Sequence, residues 1–249
     1  MDRPVSGTPL ASTEVIAVHG WAGDSRAWAP WAALCRARGW RFQGFERGYG
    51  QRQPALPHWD PASTRRIVIA HSLGPHLLPE ATWREATAAV LLTSFAAFVP
   101  PGRDGRAVAA GLRGMAAQLR AGEEATAAML EQFFAKVADP FPASSLPAGP
   151  LQQGITAAGR ARLLEDLELL ACCTALPAGL PVQIPLLLVE ALDAQIVCEQ
   201  SRALLREALL QATLWRLERA GHGLLGGEGP QAGQSLPAAV LEWMADGPP

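Results

Sequence analysis

Arg66-Ile67-Val68-Ile69-Ala70-His71-Ser72-Leu73-Gly74-Pro75 is the stretch on which the reading of this chain turns. Its apolar, β-branched run is too short for a helix and is closed by a breaker, which fits a buried strand of a parallel sheet. The segment that follows, 75–89, is long enough for a helix, and a proline near a helix start sacrifices no hydrogen bond. A strand-to-helix turn this tight strains its central residue and leaves no room for bulky flanking side chains. Ala70 and Gly74, two positions either side of Ser72, meet that demand. Such a turn lifts the Ser72 hydroxyl above the sheet edge and aims the Leu73 N–H at the same point.

The pattern is Gly-x-Ser-x-Gly, the nucleophile elbow, with Ala70 standing at the first glycine. A chance serine at a strand–turn–helix junction would read the same way, so the rest of the chain has to decide. A second buried-strand pattern at 14–18 runs directly into His19-Gly20-Trp21-Ala22-Gly23-Asp24. Strand, His-Gly and a small-residue loop place a second backbone N–H, that of Trp21, where it can share a site with Leu73. Ser25 is expected to cap a helix carrying Ala27, Trp28, Trp31 and Cys35 on one face. Its tryptophans read as core. A strand over 40–45 then leads into Glu46-Arg47-Gly48-Tyr49-Gly50.

Past the elbow, 88–95 reads as a strand. From Pro101 to Pro181 no buried-strand run occurs, and 105–121, 123–138 and 155–176 carry apolar spacing suited to amphipathic helices. The proline-rich stretch 140–150 separates the second from the third. A helical insertion between sheet strands reads as a cap over the site. The expected architecture is therefore α/β: a mostly parallel sheet flanked by helices, with core residues 1–99 and 182–249 and a helical cap over 100–181. Strand pattern resumes at 184–189 and 213–217, a helix is expected over 199–210, and a last one over 237–244.

Serine alone is a weak nucleophile and needs a base plus a carboxylate that fixes the base's tautomer. The late strands supply both in order: Asp193 after one and His222, between two glycines, after the next. Glu190 ends the same strand as Asp193 and is the rival acid. His19, His58, His71 and His76 lie outside any late loop. The glycine flanks suggest that His222 rides on a mobile loop.

Composition narrows the classes. A net charge of −2 gives no electrostatic case for a nucleic-acid partner. Only Lys136 among the basic residues is lysine, an arginine excess read as base composition. Cys35, Cys172, Cys173 and Cys198 show no metal-ligand spacing, which fits a reduced, cytoplasmic chain. The first thirteen residues lack a signal-peptide pattern, no run approaches membrane-spanning length, and no phosphate-cradling glycine loop occurs. No cofactor or metal is expected, and the reading takes the chain as a monomer with neither membrane nor nucleic acid as partner.

With these residues in hand, the chain resembles the α/β-hydrolase superfamily over nearly its whole length. Within it the chain looks most like the bacterial pimeloyl-[acyl-carrier protein] methyl ester esterases of biotin synthesis. The resemblance is carried by His19-Gly20-Trp21, His71-Ser72-Leu73-Gly74, Gly111-Leu112, Gln118-Leu119, Glu131-Gln132-Phe133, Leu164-Glu165-Asp166-Leu167, Leu180-Pro181 and Leu192-Asp193 ahead of Ile196-Val197. Pro75 replaces a glycine usual after the elbow, and Gly221-His222-Gly223-Leu224 replaces the usual glycine-histidine-alanine-proline.

The resemblance implies a serine carboxylesterase with Ser72, Asp193 and His222 as triad and the Trp21 and Leu73 N–H groups as oxyanion hole. It also implies substrate contacts at Trp21, Leu73, His222 and the 133–137 segment, with Phe133, Phe134 and Val137 as candidates. Met129 and Leu130 are further candidates for an apolar tunnel. Arg106, Arg113 and Arg120 recur every seven residues on one expected helix, with Arg103, Arg160 and Arg162 nearby. Such a face would suit an acidic acyl carrier protein, or it is simply solvated. Other acyl esterases, thioesterases, C–C hydrolases and a catalytically silent binding protein remain open.

Overall fold

The computed structural model describes residues 12–224, 228–231 and 233–246. The expectation for the amino-terminal lead falls mostly outside that range. Six strands form one wholly parallel sheet: β1 (Thr13–Val18), β2 (Arg41–Gly44), β3 (Arg65–His71), β4 (Ala88–Leu92), β5 (Leu186–Ala191) and β6 (Thr213–Leu217), ordered β2-β1-β3-β4-β5-β6. The central strands are apolar throughout because both their faces are covered. Val15, Ala17, Ile67, Ile69 and Val90 face a core closed by Trp28, Trp31, Leu241 and Met244. Ile16, Val18, Val68, Ala70 and Leu91 face the other side, against Trp83, Leu180 and Leu205. The tryptophans of the first helix are core, as their spacing indicates. The edge strands β2 and β6 carry arginines and are only partly buried.

The chain leaves β1 towards β2 and then returns past it to β3, so strand order reverses between β1 and β3. Loops that depart in opposite directions from adjacent parallel strands open a crevice at their carboxyl ends, where ligands of open α/β sheets bind. Val18 pairs with Ala70 and His71 with Leu92, which puts the His19 and Ser72 turns side by side at that crevice.

Several elements differ from their sequence reading, each for a local reason. Asp24, not Ser25, caps the turn after β1. Its side chain accepts from the Arg26 N–H, and α1 (Ala29–Ala37) follows a 3₁₀ turn over Ser25–Trp28. The helix expected after the elbow is two short ones, α2 (Gly74–Leu77) and α3 (Glu80–Arg84). Leu78 is extended because a residue before proline disfavours the helical region. β4 stops at Leu92, where Thr93 turns into the left-handed region (φ 43°). β5 begins two residues late, after Pro185, and runs to Ala191.

Between β4 and β5 lie α4 (Gly102–Ala121), α5 (Glu123–Ala138), α6 (Pro150–Gln153) and α7 (Ala157–Cys172). They share a third apolar core with the sheet's carboxyl end, in which Leu112, Leu119, Leu130, Leu163 and Leu167 meet Trp21, Tyr49, Leu73 and Phe95. α8 (Glu199–Ala208) and α9 (Leu236–Asp246) complete the fold.

A half-buried arginine paired with a buried carboxylate ties the insertion to the sheet. Arg47, just after β2, donates two hydrogen bonds to Asp166 of α7 (2.7 and 2.8 Å), and the Tyr49 hydroxyl donates a third (2.6 Å). Asp166 is 2% exposed, so its charge is tolerated only because three donors surround it. The Trp21 indole donates to Leu163 O in the same helix (2.9 Å). Removing one partner from such a pair leaves an uncompensated buried charge. Arg47→Ala is expected to lower the unfolding free energy by about 3 kcal/mol, and Arg47→Ala/Asp166→Leu to recover most of that loss. Urea unfolding checks both. Equal loss in single and double variants would show that the pair does not carry the docking.

Candidate active site

Ser72 stands in the left-handed region (φ 55°), where a side chain is strained and the surrounding structure must hold it. Three contacts do so. Its N–H donates to Leu92 O (2.9 Å) and its carbonyl accepts from the Ser94 hydroxyl (2.7 Å), fixing the turn against β4. On the β1 side, a Cβ at Gly74 would lie 2.6 Å from Val18 O, so only glycine lets the elbow press onto that strand. This is the constraint the small-residue pattern announced. Pro75 is accommodated in the first turn of α2, where no N–H is needed.

The Ser72 hydroxyl meets His222 Nε2 at 3.0 Å, and both side chains are buried. For Nε2 to accept the serine proton, the imidazole must carry its own at Nδ1. Burial pushes the His222 imidazole well below the usual histidine range, with His71 and Arg202 adding to that, so the ring is a neutral base at neutral pH. Its Nδ1 is buried and has no hydrogen-bond partner among the described residues.

The structure does not bring Asp193 to that nitrogen. Asp193 lies in the turn after β5; its N–H donates to Ala220 O (3.2 Å), while its side chain is exposed and makes no hydrogen bond among the described residues. The same turn is tied down by Leu192 N–H to Leu217 O (3.0 Å), which points the Asp193 side chain to solvent. Glu190 is committed elsewhere: it is buried and paired with Arg206 (2.7 Å) and Arg216 (3.6 Å). The assembled unit is a Ser72–His222 pair.

His222 and Gly223 are tied to the sheet and to α5 by their main chain. The His222 carbonyl accepts from His71 Nε2 (2.8 Å) and Thr93 Oγ1 (3.2 Å), and the Gly223 N–H donates to Val137 O of α5 (3.0 Å).

On the β1 side, Gly20 packs directly against the elbow. The His19 imidazole, buried, holds this loop: its Nδ1–H donates to Gly20 O (2.9 Å), and Nε2 accepts from the Arg47 N–H (3.2 Å). The second bond requires a neutral ring, and burial lowers the His19 pKa. Trp21 sits beside Ser72 at the wall of the same cavity, and the Leu73 N–H opens α2, where helix N–H groups lack intrahelical acceptors.

The cavity above Ser72 has a volume of about 70 Å³. Phe133, Phe134 and Val137 line it, with Trp21 and His222; Leu73 does not. Met129 and Leu130 are corrections: they belong to the buried core under the insertion and not to the cavity wall. Two contributors were missed. Leu146 to Pro150 form part of the wall, and Asp24 lies at its edge. Arg26, clamped by Asp24 (2.8 Å to each carboxylate oxygen), donates to Gly149 O (3.0 Å) and so holds that strap in place. The Asp24-x-Arg26 spacing after the loop was the available signal. A second cavity of about 150 Å³ adjoins across Phe134, Leu146 and Pro147.

The cationic face is only partly free. Arg106 and Arg113 on α4 are exposed, Arg120 lies 3.4 Å from Glu168, and Arg162 is turned inward to Gly48 O (3.0 Å). All four cysteines are unbridged. Among the described residues no cluster of histidine, cysteine, aspartate or glutamate could hold a metal, and no helix is long and apolar enough to cross a membrane.

Solved structures share this fold. A carboxylesterase of Nitrososphaera gargenis superposes with a TM-score of 0.65 at 12% identity, over 94% of this chain and 90% of its own. The enol-lactonase of Burkholderia xenovorans gives 0.63 at 15% identity, over 98% and 94%. A thermophilic esterase of Thermogutta terrifontis gives 0.62 at 16%, over 95% and 90%. The chain has the α/β-hydrolase fold. Likeness at these identities reaches no further than fold, and no protein-family model and no curated protein matches the sequence. Chemistry has to come from the site itself.

Gly20 offers a test of that site. A Cβ there would lie 2.8 Å from Ser72 Cβ and 3.0 Å from His71 O. Gly20→Ala must displace the serine from His222, and a shift of this size costs about 10²-fold in turnover. Ester hydrolysis by a variant with an unchanged circular dichroism spectrum measures it; wild-type turnover would mean the described Ser72 position is not the reactive one.

Proposed function

We propose that the protein is a serine carboxylesterase that hydrolyses the methyl ester of a pimeloyl chain carried by an acyl carrier protein, a step of biotin synthesis. The observation that carries the esterase reading is the strained, buried Ser72 with its hydroxyl 3.0 Å from a neutral His222 at an apolar cavity. Ser72 attacks the ester carbonyl while His222 Nε2 takes its proton. The N–H groups of Trp21 and Leu73 receive the developing oxyanion. His222 then protonates the departing methoxide as methanol, and water attacks the acyl-enzyme by the reverse use of the same base.

Imidazolium formation calls for a carboxylate at Nδ1, and Asp193 is the residue we assign to it. Among the described residues its carboxylate is unengaged and the buried Nδ1 has no acceptor, and its backbone is bonded to Ala220 two residues before His222. Turning the 192–195 segment inward would satisfy that nitrogen. Glu190 would have to abandon two arginines to do the same.

The substrate class rests on the resemblance of the cap residues and on the exposed arginines of α4. That helix packs on α5, whose Phe133, Phe134 and Val137 line the cavity. An acidic carrier protein docked there would be steered by charge. The enol-lactonase and the esterases that share the fold keep a small soluble ester as the second reading.

Ser72→Ala is expected to remove p-nitrophenyl ester turnover by several orders of magnitude, Asp193→Asn to cost about 10⁴-fold in kcat, and Glu190→Gln to leave kcat nearly unchanged. Arg113→Glu/Arg120→Glu should raise KM for the carrier-linked methyl ester, by an amount that shrinks as salt rises, and leave a small ester unaffected. Growth without biotin of a bacterium lacking its own esterase, with the wild-type gene but not Ser72→Ala, tests the pathway. A folded, ester-hydrolysing protein that fails to restore growth removes the biotin assignment and leaves the esterase.

A further inference from the structure

The catalytic geometry requires the His222 ring to face Ser72; with the Asp193 side chain turned to solvent, Nδ1 is buried and has no hydrogen-bond partner among the described residues, so the ring needs a further restraint besides the assigned carboxylate. The main chain supplies one. The carbonyl of His222 accepts two hydrogen bonds from the sheet's carboxyl edge, one from His71 at the end of β3 and one from Thr93 just beyond β4. A carbonyl oxygen only accepts, so His71 Nε2 carries the proton and the ring is in one defined tautomer.

Both donors are themselves held. His71 pairs with Leu92 in the β3–β4 register and is 8% exposed. Thr93 is kept in the left-handed region, unusual for a β-branched residue, while its N–H donates to Val189 O (2.8 Å). The His71 and His222 rings pack at 4.9 Å between centroids, tilted by 51°. On the far side of the same peptide, Val137 O takes the Gly223 N–H (3.0 Å).

We propose that His71, together with Thr93, positions the catalytic base by anchoring the carbonyl of His222, so that the residue next to the nucleophile orients its base through the backbone. This rests on the reading of Ser72 and His222 as nucleophile and base. His71 adjoins the reacting pair in sequence and in space, but its bond goes to the main chain and its role is to hold. Burial keeps its pKa at about 4, so it remains a neutral donor across the pH range in which the enzyme would work.

Four variants separate the hydrogen bond from the ring. His71→Phe keeps an aromatic ring and loses the donor; His71→Gln loses the ring and keeps an N–H that reaches the carbonyl. Thr93→Val deletes the hydroxyl at constant shape, and Thr93→Ser restores it. With a p-nitrophenyl ester, His71→Phe is expected to lower kcat about 10²-fold and to leave KM within about threefold. His71→Gln should recover most of that loss. Thr93→Val should lower kcat about tenfold, and Thr93→Ser should stay near wild type. A purely structural role would lower the amount of folded protein without this kcat-against-KM split or the rescue.

Wild-type kcat in His71→Phe, or a His71→Gln variant as slow as His71→Phe, overturns the proposal. If His71→Phe does not fold, the decision passes to His71→Gln and Thr93→Val: a slow His71→Gln or an unimpaired Thr93→Val overturns it. A wild-type protein that neither turns over esters nor reacts with a fluorophosphonate removes the esterase reading and this proposal with it. An active wild type with unimpaired variants removes this proposal alone.

Discussion

The site depends on one close approach: the turn after β3 is pressed against the end of β1. Gly74 meets Val18 O and Gly20 meets Ser72, and between these contacts the serine backbone is forced into the left-handed region. Strain of this kind costs on the order of 1–3 kcal/mol and persists only where the surroundings over-determine it. The strand order supplies that determination. Because strand order reverses between β1 and β3, the two loops part at the crevice and leave the hydroxyl accessible from above. A glycine loop from β1, an elbow from β3, a carbonyl-holding pair from β3 and β4, and a base from the loop after β6 converge on this point.

The helical insertion takes part in this convergence. It contributes Phe133, Phe134, Val137 and the 146–150 strap to the cavity, and it holds the base loop through Val137 O. Its attachment runs through an ion pair whose carboxylate is buried, Arg47 with Asp166, and through the Arg26 bond to Gly149. Docking of the insertion and alignment of His222 are therefore physically linked. A buried pair of this kind contributes position more than net stability, since its desolvation offsets much of its Coulombic gain.

The sequence was legible where one rule governs many residues. Central parallel strands are apolar on both faces, so β1, β3 and β4 announced themselves, and tight turns demand small residues, so Ser72 was found with its neighbours. The order of Ser72 and His222 along the chain was enough to pair them. Illegible parts were those that depend on where a single side chain or loop points. The 146–150 strap has no periodicity, and its prolines read only as a break between helices. Met129 and Leu130 lie one turn before Phe133 and Phe134, yet they turn into the core. Leu78 next to Pro79 split a helix that composition had extended to Ala89. Asp193 stands in the turn where it was expected, but that turn is bonded through the Leu192 and Asp193 N–H groups to Leu217 and Ala220 with the Asp193 side chain in solvent, which no pattern of residue types encodes.

The central claim is that Ser72 is a nucleophile activated by His222. Reaction of the folded protein with a fluorophosphonate, followed by peptide mapping, tests it most directly, because the probe phosphonylates only an activated hydroxyl and records which one. The account predicts a single adduct, on Ser72. An adduct on another residue, or none on protein that hydrolyses esters, would contradict it.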